Sequence, residues 1–107
     1  MVATPIKEFT NFEAALSFLP VLGPEEAIAQ LEQRCRRLEL DLAMDRGART
    51  YADEQAVPRL FLIESEYRSM LKAAELQWTR QLAADISAGP MPGLDIWRQF
   101  HAQRDPP

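Results

Sequence analysis

The chain has 107 residues, of which 47% are hydrophobic and 26% charged, with a net charge of −4 and a single cysteine, Cys35. These totals fit one ordered domain at most and exclude an intrachain disulfide and a strongly basic nucleic-acid binder. No apolar run approaches the roughly 20 residues of a membrane span, and "VATPIKEF" after Met1 lacks the apolar run of a signal peptide, so the expected location is the cytoplasm, with no membrane partner.

Residues 1–8 have no period and read as a linker. In "FTNFEAALSFL", Thr10 and Glu13 have the spacing of a capping box, and Phe12, Ala15, Leu16 and Leu19 follow at helical intervals up to Pro20. "LGPEEAIAQLEQRCRRLELDLAMDRG" predicts a helix opened by Pro24, Glu25 and Glu26 and stopped at Gly47. Its residues Ile28, Leu31, Cys35, Leu38 and Leu42, spaced 3, 4, 3, 4, form a coiled-coil-like seam, while Leu40 and Met44 point elsewhere. Arg34, Arg36 and Arg37 lie among Glu32, Glu39 and Asp41, the pattern of a solvated helix face rather than a phosphate site.

"ARTYADEQAV" is polar and reads as the loop that reverses the chain. A second helix is predicted from Pro58 to Ala88, ended by Gly89 and Pro90. Leu60, Ile63, Tyr67, Met70, Leu71, Ala74, Trp78 and Leu82 make its main face, and Phe61, Leu62, Leu76 and Ile86 lie off that stripe. At 1.5 Å per residue this helix is roughly 45 Å long, whereas a compact chain of this length has a radius of gyration of about 13 Å. The expected shape is an antiparallel hairpin whose shorter helix covers part of the main face, with the second apolar set packed on another copy of the chain. After the turn "GPMPG", Leu94, Trp97 and Phe100 mark a C-terminal helix that docks on its own hairpin or the partner's, and residues 104–107 form a disordered tail. The predicted fold is all-α: two long helices in an antiparallel hairpin, short flanking helices at both ends, residues 9–103 as one domain, and a dimeric helical bundle.

No catalytic site is expected. His101 is the only histidine and lies far in sequence from Cys35, and there is no G-x-S-x-G, phosphate loop, H-E-x-x-H or C-x-x-C. Glu64 and Glu75 lack the Glu-x-x-His partners of a carboxylate metal site and read as interface ion pairs, with Arg68 placed i+4 from Glu64. No metal or cofactor is implied. Tyr67 and Trp78, about three turns apart, are either core and interface anchors or, with Trp97, the walls of a pocket for a flat ligand.

The order "PIKEFTNFEAALSFLPVL", "QRCRRLELDL", "PRLFLIESEYRSMLKAAELQWTRQL", "SAG" and "WRQFH" resembles the C-terminal domain of PadR-like transcriptional regulators, the virulence-activator alpha C-terminal type, over about residues 5–101. In such regulators a helical C-terminal domain makes the homodimer, an N-terminal winged-helix domain binds operator DNA, and some members answer to small aromatic effectors. The resemblance implies packing within and between subunits for Leu38, Leu42, Tyr67, Leu71 and Trp78. Together with the apolar pattern this makes Leu38, Leu42, Leu60, Phe61, Leu62, Ile63, Tyr67, Leu71, Leu76 and Trp78 the expected core and dimer residues. The winged-helix domain is not among these 107 residues, so operator binding is implied for a parent protein. The alternatives are a small-molecule-binding bundle and a helical adaptor for another protein.

Overall fold

The computed structural model describes residues 12–89 and 91–104, with side chains to residue 102. The capping box at Thr10, the linker, Pro90 and residues 105–107 lie outside these. Residues 12–17 are helical (α1), a 3-10 turn covers Leu19–Val21, α2 runs Pro24–Glu54, a second 3-10 turn covers Arg59–Leu62, and α3 (Ile63–Ala88) and α4 (Leu94–Arg104) complete the chain. No strand occurs among the described residues. The architecture is the expected antiparallel hairpin of two long helices, α2 against α3, with short flanking helices. It extends 60 × 27 × 22 Å with a radius of gyration of 17.9 Å, as a rod-like hairpin requires. No helix is long and apolar enough to cross a membrane.

The start of α2 follows its sequence: Gly23 is extended, Pro24 occupies the first turn where its missing N–H costs nothing, and Glu25 and Glu26 face the helix N-terminus. Its end does not. Gly47 is not a stop, and the segment read as a loop continues the helix to Glu54. One interior glycine costs only about 1 kcal/mol, while the following turns bury Ala52 and pair Arg49 with Asp53 at 3.4 Å. The connection shrinks to a few residues around Ala56, whose φ of 56° turns the chain in the left-handed region. With 31 residues α2 is therefore the longer helix, and α3, at 26, the shorter. Pro58 opens the 3-10 turn and not α3 itself, because the Phe61 N–H bonds back three residues to the Pro58 carbonyl. Gly89, at φ 85°, closes α3 with its N–H on the Asp85 carbonyl, as the sequence predicts.

The core forms two clusters along the hairpin. Near the open end Leu31, Ala83, Ile86 and Leu94 are buried, with Phe12, Leu16, Leu19, Ile28, Leu82, Met91 and Trp97 packed around them. Further along, Cys35, Leu38 and Leu76 are buried with Leu42 beside them. The expected α2 seam is thus the one that packs, and α4 docks on its own hairpin through Leu94 and Trp97.

On α3 the side that packs is not the main face of the sequence reading, of which only Leu82 joins the core. The side laid on α2 carries Leu76, Thr79, Ala83 and Ile86, all buried, and so includes two residues read as lying off the main stripe. Ile63, Tyr67, Met70, Ala74 and Trp78 are exposed. Polar partners across the hairpin explain the choice. Glu75 accepts from Arg34, Asp45 accepts from Lys72 at 3.1 Å and from Ser69 at 2.9 Å, and Arg80 reaches Glu39 at 2.9 Å. These pairs border the Leu76 side of α3, and small Thr79 and Ala83 let the helix axes approach.

Candidate functional site

The outer side of α3 and the turn before it carry a long apolar stripe. Leu60, Phe61, Ile63, Tyr67, Met70 and Trp78 are each between 53% and 72% exposed, Ala74 is exposed, and Leu62 and Leu71 are half-buried at its edge. Because Ile63, Tyr67, Met70, Ala74 and Trp78 recur every third or fourth position of α3, they stack along one side for several turns, with Leu60 and Phe61 in the turn before it. Arg59 fixes the head of the stripe: its Nη2 and Nε donate to Glu66 at 2.8 and 3.1 Å, clamping the 3-10 turn to the first turns of α3. The hydrogen bond from Arg59, with its charge, holds the Glu66 carboxyl below its usual range. A large side chain presents on the order of 200 Å² when free, so the six large residues together leave about 700 Å² uncovered. That area approaches the roughly 800 Å² that each partner contributes to a standard protein interface.

A second apolar feature lies at the open end of the hairpin. Leu19, Pro20, Leu82, Met91, Trp97 and Phe100 line a groove of about 500 Å³ between the first 3-10 turn, α3 and α4. Trp97 is held in place by its Nε1–H, which donates to the Leu22 carbonyl at 2.7 Å, and His101 Nε2 lies 3.1 Å from the Pro20 carbonyl. Of the three residues expected to wall a ligand pocket, only Trp97 lines this groove; Tyr67 and Trp78 belong to the exposed stripe and do not meet Trp97. The contribution of Leu19, Pro20 and Met91 has no signal in spacing, because three distant segments supply the walls.

The remaining candidates are structural. Cys35 is buried in the hairpin, and burial pushes its thiol above the ordinary range against the opposing charge of Arg80, the setting of a packing residue rather than a nucleophile. Glu64 pairs with Arg68 at 3.9 Å, and Glu75 with Arg34, whose guanidinium also lies 4.9 Å from the centre of the Phe12 ring. Glu75 is thus held in an interhelical ion pair, as expected, but its partner Arg34, read from the sequence as part of a solvated helix face, is nearly enclosed, because α3 lies over that side of α2. Among the described residues no group of three or more His, Cys, Asp or Glu converges on a common point.

No family model matches this chain, and no curated protein or solved structure matches it either.

Proposed function

We propose that the chain is a homodimerisation and effector-sensing module of the kind that PadR-like regulators carry at their C-terminus. The observation that carries the dimer is the α3 stripe, about 700 Å² of contiguous apolar surface where single scattered residues would be ordinary. The resemblance of "ALSFLP" and "ESEYR" through "AELQW" to that family supplies the regulatory context. Contact with operator DNA belongs in this reading to a winged-helix domain of a parent regulator. The helices described here have a net-acidic chain and cations interleaved with carboxylates, which suits neither strand of a phosphate backbone.

Sedimentation equilibrium at micromolar concentration is expected to return twice the chain mass. Tyr67→Glu, which places a charge in the middle of the stripe without touching the hairpin core, is expected to weaken self-association by about 100-fold while leaving the helical circular dichroism unchanged. A wild-type chain that stays monomeric at about 100 µM overturns the reading.

The effector site in this proposal is the groove beside Trp97, an apolar slot with no charged wall, suited to a small uncharged aromatic. In a Trp78→Phe background Trp97 is the sole indole fluorophore. Titration with naphthalene is expected to quench or shift its emission saturably, and Phe100→Ser is expected to abolish the response. An emission unaffected up to the probe's solubility limit removes the effector from the proposal.

A further inference from the structure

The exposed stripe of α3 is complementary to itself when read backwards. We infer that two copies pair through antiparallel α3 helices, with a twofold axis passing between Met70 and Leu71; this rests on the dimer proposed above and specifies its interface. In that register residue n faces residue 141 − n of the second copy, so Ile63 meets Trp78, Tyr67 meets Ala74 and Met70 meets Leu71.

Size and polarity select this register. The Tyr67 ring, more than half exposed, falls opposite a side chain that is only a methyl group, so a large knob meets a hole twice, once on each side of the axis. Moving the axis to Ala74 sets Tyr67 against Gln81 and Ile63 against Asp85, burying polar groups on apolar ones. Moving it to Tyr67 sets Met70 against Glu64 and carries Trp78 past the end of α3 toward Ala56. A parallel pair places Ala74 on Ala74, leaving a void, and Tyr67 on Tyr67, and aligns the two helix dipoles. Only the axis between Met70 and Leu71 sets every member of the Ile63 to Trp78 stripe against another apolar residue. Leu60 and Phe61 lie outside this pairing, opposite Gln81 and Arg80, so Ile63, Tyr67, Met70 and Trp78 leave about 440 Å² on each copy, an interface at the small end of the specific range, for which a second copy brings the matching pattern by construction.

Disulfide trapping in the full chain tests the inference. Cysteines are introduced on a Cys35→Ala background, and each variant is first checked for helical content and mass by circular dichroism and sedimentation. Met70→Cys beside the axis is expected to form a disulfide-linked dimer on mild oxidation. Ile63→Cys alone is not, because the two positions lie about 22 Å apart along the antiparallel pair, but mixing it with Trp78→Cys is expected to give the mixed disulfide. Cross-linking of Ile63→Cys to itself, or a dimer in sedimentation that neither Met70→Cys nor the mixture traps, overturns the antiparallel seam and leaves the dimer standing. A monomeric wild-type chain removes both. Independently of the cysteines, Ala74→Met is expected to weaken association at least about 10-fold by filling the hole, whereas Ala73→Met, one position round the helix, leaves it unchanged; equal effects from the two contradict the register.

Discussion

Arg34→Ala is expected to lower the unfolding free energy by about 3 kcal/mol, measured by urea denaturation at matched protein concentration. The pair it breaks is nearly enclosed: the Arg34 and Glu75 side chains are 13% and 11% exposed, and Glu75 Oε1 has no hydrogen-bond partner, so the guanidinium on Oε2 is the main compensation for a carboxylate packed between two helices. Removing the cation strands that carboxylate. An added Glu75→Ala is then expected to recover at least about 1 kcal/mol, since an absent charge costs less than an unpaired buried one. The cycle separates this from the lost contact of the Arg34 guanidinium with the Phe12 ring, which a second substitution at residue 75 does not restore. A single-variant loss below about 0.5 kcal/mol means the carboxylate finds water and the pair is a surface feature.

Thr79→Val is expected to act in the opposite direction, raising stability by about 1–2 kcal/mol and the urea midpoint with it. Thr79 is fully buried one turn along α3 from Glu75, and its Oγ1 has no hydrogen-bond partner. Valine keeps the branched shape and the helix propensity while replacing a desolvated hydroxyl by a methyl. A destabilised Thr79→Val variant shows that the hydroxyl is satisfied in solution, by an internal water or by Glu75 Oε1 itself, and that the middle of the hairpin is a polar network rather than a cost.

Both expectations concern the side of α3 that packs on α2, and that side is where sequence reasoning and structure part. Helical content, the start of α2 at Pro24, its seam through Leu31, Cys35 and Leu38, the stop at Gly89 and the apolar side of α4 through Leu94 and Trp97, though not the hairpin it docks on, all follow from local chemistry: a capping geometry, a period of 3.6, a residue able to adopt positive φ. Those choices depend on neighbours a few positions away and are therefore written in the chain itself. The continuation of α2 through Gly47 is not, because a glycine's modest cost is outweighed by Ala52 being buried in the hairpin, a tertiary gain.

The choice between the two apolar sides of α3 is the clearest case. By side-chain volume the Tyr67, Met70 and Trp78 side is the greasier and looks like the interior, yet Leu76, Thr79, Ala83 and Ile86 lie inside. Hydrophobic periodicity says that α3 has two faces to cover and is silent on which element covers which. That decision falls to close approach at small residues and to the pairing of Arg34, Glu39 and Asp45 with Glu75, Arg80 and Lys72, contacts between residues some 27–41 positions apart that exist only once the two helices lie side by side.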